Sequence, residues 1–261
     1  MLLLEPQRTQ YDWNFQLFGF PIRVHPFFWL LALISGLNLN DPAYLVIWMG
    51  VVFVSILVHE LGHAFMIRRM GRPAHIVLYA MGGLAIEGSS DPYGFDSSYS
   101  SRQRTPQEQV LISAAGPGAG FALAALVALL VFVTRGRIEV EWINGLIPFF
   151  GATYPIDADV NLNLIMLVNS LLYVNIFWGL LNLVPVIPLD GGQIAQAILT
   201  AQDPWQGMTK ALWLSIWAGG IMAVAGLLMF QQMFIVLLFA SLAYSSYVTL
   251  QQLSGGGGRD W

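Results

Sequence analysis

The chain has 261 residues, of which 56% are hydrophobic and 10% charged, with a mean hydropathy of +0.64; soluble domains carry about 25% charge, so a polytopic membrane protein is expected. A formal net charge of -4 is small and says nothing useful about nucleic acid, which is not among the expected partners. With no cysteine, disulfides and thiolate metal sites are excluded, and any bound metal must rest on His, Asp or Glu.

Met1 to Arg23 mixes Glu5, Arg8, Asp12 and Arg23 with scattered apolar residues. It lacks the basic-then-apolar pattern of a signal peptide, so the start is expected to be retained. Six runs follow that are long enough, or nearly so, to cross about 30 Å of hydrocarbon. Pro26 to Leu37 is short and rich in Trp and Phe, as suits a tilted or partly interfacial helix. The others are Ala43 to Ile67, closed by Arg68, Arg69 and Arg72; Val110 to Val133; Leu162 to about Val184; Ala211 to Phe230; and Met233 to Leu250. Gln231 and Gln232 leave a tight turn between the last two. The fold class expected is therefore all-α, with about six transmembrane helices.

One β feature is added between the second and third runs. Residues 74–88 (AHIVLYAMGGLAIEG) alternate loosely around Gly82 and Gly83 and read as a membrane-associated hairpin. It is either an interfacial loop or an exposed edge that pairs with an extended peptide. Ser89 to Gln109 is a polar loop, and Arg135 to Val160 reads as a solvated outer loop with an interfacial piece near Ile147 to Phe150. Within the third run, Gly116 to Gly120 (GPGAG) combines small residues, which let membrane helices approach closely, with a helix-breaking proline.

The chemistry concentrates in the second run, where His59, Glu60 and His63 (HELGH) are the only Asp, Glu, His, Lys or Arg residues from Ala43 to Ile67. Ionisable groups at that depth are costly and functional by default. On a helix, positions four apart share a face, so His59 and His63 can offer two imidazoles to one ion while Glu60 sits beside its water. Such a site activates water for attack on a carbonyl carbon.

A catalytic zinc usually takes a third protein ligand. Arg69 occupies the position where a metzincin has a further histidine, and Glu87 follows a glycine-rich turn. Asp190 is the stronger candidate, because no other charged residue occurs from Val160 to Leu189. It lies in NLVPVIPLDGG, residues 182–192, where two prolines interrupt the helix and Gly191 and Gly192 allow the backbone to bend beside an ion. Asn182 is suited either to donate to a developing oxyanion or to make an interhelical hydrogen bond. His25 and His75 are open between structural roles and contact with the site.

HELGH in an apolar span, Gly116-Pro117 in the next, and NxxPxxxLDGG from Asn182 to Gly192 together resemble the site-2-protease family of intramembrane zinc metalloproteases. The shared elements cover roughly residues 45 to 195. The resemblance implies that His59, His63 and Asp190 hold one Zn2+ and that Glu60 is the general base. It further implies a substrate that is a membrane-spanning segment or its margin.

The resemblance is to the compact six-span type, without a PDZ or nucleotide-sensing module. A single domain over residues 1–261 is expected, with a catalytic core at about 43–200 and accessory spans at about 26–37 and 211–250. With the N-terminus inside, nine Lys and Arg residues fall on the cytoplasmic side against two outside, so both termini are expected in the cytoplasm; a bacterial or archaeal cytoplasmic membrane is expected. The expected partners are the bilayer and a membrane-protein substrate, with a homo-oligomer or regulatory membrane partner left open. A metal transporter would string acidic or histidine residues along several spans, and the other runs have none. Glu60 argues against an inactive scaffold.

Overall fold

The computed structural model describes residues 6–37, 39, 41–80, 82–88, 104–143, 147–155, 160–230 and 233–255. Most of the Ser89 to Gln109 loop, Gln231 and Gln232, Asp157, Asp159 and the Gly256 to Gly258 tail lie outside these residues. The chain divides into two compact units, Met1–Arg102 with Ala115–Gly179, and Gln103–Ala114 with Leu180–Trp261. Among the described residues, five helices are long and apolar enough to cross a membrane, by length and composition.

The first unit is built on helix α2, Pro42–Arg69. Asp41 caps its start by accepting from the Ala43 amide at 2.8 Å, and Pro42 occupies the first helical position, where a missing N–H costs nothing. Arg68 and Arg69 complement the dipole in the last turn. Twenty-eight residues give a rod of about 42 Å.

Strands β1 (Trp13–Leu17), β2 (Phe20–Val24), β3 (Ala74–Tyr79) and β4 (Gly82–Glu87) form one sheet in sequence order. The β2–β3 pair is parallel and the other two pairs are antiparallel. The expected hairpin is thus the second half of a larger sheet. Its first half turns at Phe18 and Gly19, both left-handed with φ of 51° and 81°, as a two-residue type I′ turn requires. Phe18 is held there by α2, since Arg68 Nη1 donates to its carbonyl at 2.7 Å. The same guanidinium lies 4.1 Å above the Phe20 ring.

Helix α1, Pro26–Ser35, has only 10 residues, about 15 Å, or half the hydrocarbon thickness. It follows β2 directly and packs on α2 through Trp29 and Phe53, with ring centroids 5.3 Å apart. Trp48 donates its indole N–H to the Ser35 hydroxyl at 3.0 Å. The first apolar run, Pro26 to Leu37, is therefore a short helix that follows a strand and is too short to cross the hydrocarbon on its own.

Helix α3, Pro106–Val133, is continuous through Pro117, which corrects the reading of that proline as a breaker. Proline deprives Ser113 of one i+4 donor, and the surrounding helix is kept by packing. Helix α4 is Leu162–Asn182. The loop expected from Arg135 to Val160 is instead largely a hairpin of β5 (Arg137–Ile143) and β6 (Ile147–Thr153). The Ala152 amide donates to Asn169 Oδ1 at 2.6 Å, and Ala152 joins a core with Ala124, Val127, Val131 and Leu172.

In the second unit, helix α5 (Asp190–Gln202) follows an irregular segment with a cis Ile187–Pro188 bond. Helix α6 (Gly207–Ala225) continues as a π-helical turn over Gly226–Phe230, and α7 is Met233–Gly255. Gly219 brings α6 against the backbone of Phe239 and Ala243 on α7.

Candidate metal centre

Helical spacing brings the HELGH side chains together. His59 Nε2 and His63 Nε2 are 3.1 Å apart, and the ligand atoms of His59, Glu60 and His63 lie within 4.8 Å of one another. All three residues are buried. Two nitrogens held at about 2.0–2.1 Å from a tetrahedral zinc are roughly 3.3 Å apart, so the donor pair matches that ion without rearrangement.

Three glycines shape this centre. A Cβ on Gly62 would collide with the Ala115 carbonyl, so α2 and α3 touch backbone to backbone there. A Cβ on Gly116 would overlap both imidazoles, including His59 Nε2 at 2.8 Å. One on Gly83 would overlap the Glu60 carboxylate, with Oε1 at 2.6 Å. The metal-facing side of the histidines is thus covered by α3, and strand β4 lies against the base. Glu60 is nine residues from Arg69, roughly 14 Å along the axis, so β4 reaches back alongside the C-terminal turns of α2.

Beside the centre, Asn175 on α4 donates to Ser55 Oγ at 2.9 Å and to the Leu171 carbonyl at 2.8 Å. Ser55 is one turn before His59. Tyr79, at the end of β3, is 7% exposed. Burial, and then the negative charge of Glu60, push its phenol up to about 12. Sequence reasoning missed Tyr79 and Asn175 because each looks like an ordinary resident of an apolar run.

The open residues have structural tasks. His25 caps α1, its Nδ1 accepting from the Phe27 amide at 3.3 Å. His75 Nδ1 faces the Gly88 carbonyl at 3.2 Å, and Glu87 accepts from Arg72 at 3.2 Å.

In the second unit Asp190 is the first residue of α5 and is 7% exposed. Gly191 and Gly192 are needed for close approach, since a Cβ on either would strike the backbone of Leu183 to Ile187. They serve helix-to-segment packing, and neither has the positive φ of a glycine-only bend. The segment before Asp190 is held by Gln193, whose Nε2 donates to the Pro188 carbonyl at 3.0 Å. Gln109 Nε2 donates in turn to Gln193 Oε1 at 2.7 Å. Asn182 is half-buried at the end of α4.

The family model for peptidase family M50 matches residues 47–224. A zinc metalloprotease of Methanocaldococcus jannaschii is 29% identical over 200 residues, covering 75% of this chain and 48% of that protein. The putative zinc metalloprotease Rip3 of Mycobacterium tuberculosis is 28% identical over 196 residues, covering 69% and 42%. The chain thus spans less than half the length of these relatives. Among solved structures, the site-2 protease from Methanocaldococcus jannaschii superposes with a TM-score of 0.53 at 23% identity, covering 92% of this chain and 95% of that one. On the family match, which takes in helices α2 to α5 and most of α6, the chain belongs to peptidase family M50.

Proposed function

We propose that the chain is an intramembrane zinc metalloprotease that hydrolyses peptide bonds within or next to transmembrane segments. The observation that carries this reading is the buried His59, Glu60 and His63 constellation inside an apolar helix, where three such groups without an ion would each cost several kcal/mol. Zinc metalloprotease relatives support the choice of metal.

In this reading His59 and His63 would hold the zinc ion, and Asp190 would be the third ligand, the one carboxylate in a long uncharged stretch. When bound there, a zinc ion would lower the pKa of its water to near neutrality. Glu60 accepts the proton of that water as its oxygen attacks the scissile carbonyl, and returns it to the departing amine. Asn182 donates to the oxygen that gains charge. Strand β4 ends the sheet order, so a peptide added along its outer edge would be extended beside Glu60. The whole chain acts as one protease domain, with residues 43–200 as its core. Both termini face the cytoplasm, on the balance of Lys and Arg, and the membrane is a bacterial or archaeal cytoplasmic membrane.

The test is cleavage of a co-reconstituted single-span membrane protein by the wild type and by Glu60→Gln. Cleavage by the wild type and its loss in the variant are expected. Equal cleavage by both, or zinc flux into vesicles with no cleavage, would reject the proposal.

A further inference from the structure

Asp190 begins α5 with little local support. Leu189, at the cap position, offers no side-chain cap, and Pro185 and Pro188 have no N–H with which to tie the preceding segment to itself. The support comes from other parts of the second unit. Ser215 Oγ on α6 accepts from the Ile187 amide at 3.0 Å. Gln193, one turn into α5, reaches back and donates from Nε2 to the Pro188 carbonyl at 3.0 Å.

Gln193 is itself held. Its Oε1 accepts from Gln109 Nε2 at 2.7 Å, and Gln109 Oε1 accepts from Arg104 Nη1 at 3.0 Å. The two ends of this chain of bonds fix its direction. A guanidinium can only donate and a backbone carbonyl can only accept, so each glutamine between them turns its oxygen toward Arg104 and its NH2 toward Pro188. Gln109 Nε2 also donates to the hydroxyl of buried Ser113 at 3.0 Å. The origin of the chain is firm, because Thr105 and Glu108 form a capping box at the start of α3. The Glu108 amide donates to Thr105 Oγ1 at 3.2 Å and the Thr105 amide to Glu108 Oε2 at 2.8 Å.

Ordering three long side chains costs rotamer freedom, and fastening one carbonyl does not require it, since Gln193 could donate to Pro188 with its own oxygen in water. What the relay adds is a fixed reference, the first turns of α3, for a backbone group two residues from Asp190. A functional side chain must be held to within roughly 0.5 Å of its working position. Resting on Asp190 as the third zinc ligand in the reading above, we propose that Gln109 and Gln193 are positioning residues for its carboxylate, so that zinc affinity depends on the direction in which their amides point.

The test is Gln109→Glu, which reverses the relay at nearly constant volume. One carboxylate oxygen still pairs with Arg104, but the other faces Gln193, whose amide must turn to donate to it and so sets its oxygen against that of Pro188. An added negative charge would by itself tighten the binding of a cation, so the effect of the relay has the opposite sign. Zinc affinity of the full-length chain in detergent, by chelator competition, is expected to fall about 10- to 100-fold, with the unfolding temperature of the zinc-free chain unchanged. Combining Gln109→Glu with Gln193→Lys should recover the affinity, because an ammonium can donate both to the new carboxylate and to the Pro188 carbonyl. Affinity at or above wild type in Gln109→Glu would overturn the proposal, as would a loss that the double variant does not recover or that the zinc-free chain matches in stability. Asp190→Ala in the same assay separates the two ideas. Wild-type affinity there rejects the ligand assignment itself, whereas lost affinity there beside an unaffected Gln109→Glu rejects only the relay.

Discussion

Gly116→Ala places one methyl group at the tightest point of the centre. Ordinary Cβ contacts begin near 3.4 Å, yet His59 Nε2 would lie 2.8 Å away, about 0.6 Å too close, and two atoms of His63 would be closer still. The methyl cannot move aside, because it is fixed to the α3 backbone, and α2 touches that backbone one residue earlier at Gly62 and Ala115. Either the helices part or both imidazoles leave their rotamers. Overpacking of this kind costs about 1–3 kcal/mol. Displacing both zinc nitrogens should cost at least the 10- to 100-fold in affinity that follows loss of an outer hydrogen bond to a ligand.

Gly118→Ala is the matched control, since its Cβ would meet nothing within 4 Å on the same helix. Alanine in an open helix position is favoured by about 0.5–1 kcal/mol. Zinc affinity by chelator competition, with thermal unfolding in detergent, should separate the two variants. Weakened zinc binding in Gly116→Ala alone is expected. Zinc affinity within twofold of wild type in Gly116→Ala, with normal cleavage, would refute the close packing of α3 on the histidines.

Asp190→Ala should purify with less than about a tenth of the wild-type zinc, read by elemental analysis, and full occupancy would remove Asp190 from the ligand set. The N-terminal sheet should loosen in acid. Burial raises the Asp12 carboxyl, but hydrogen bonds from Thr9 and from Arg23, at 2.9 Å, outweigh it and hold the group below its usual range. A depressed carboxyl stabilises the fold above its unfolded value, roughly pH 4, and that stability is lost as pH falls through the folded value. Amide exchange in Trp13–Leu17 should therefore quicken below about pH 4, and Asp12→Asn should quicken it at neutral pH. Exchange independent of both changes would contradict this.

The centre was legible because polar residues in a lipid-length apolar run have few other reasons to be there. The lengths of α2, α3, α4, α6 and α7 followed from hydropathy in the same way. Helix α5 was overlooked because DGGQIAQAILTAQ is amphipathic and too short for a span, so a search for apolar runs passes over it. Strands β1 and β2 were hidden by their turn, since Phe18 has neither the flexibility nor the polar side chain of ordinary type I′ residues and depends on Arg68. Pro117 misled for a related reason, as one missing hydrogen bond is outweighed by helix contacts that local sequence does not show. The contacts of Gly83 with Glu60 and of Gly116 with the histidines are properties of packing. Sequence announces only that something small is required there.

The central claim is that His59 and His63 hold a zinc ion while Glu60 performs proton transfer. Zinc X-ray absorption on purified Glu60→Gln protein, paired with a cleavage assay on the same preparation, tests it most directly. About one zinc per chain with imidazole nitrogens near 2.0–2.1 Å, and no cleavage, is the predicted result. Zinc without imidazole scattering, or a variant that still cleaves, would contradict it.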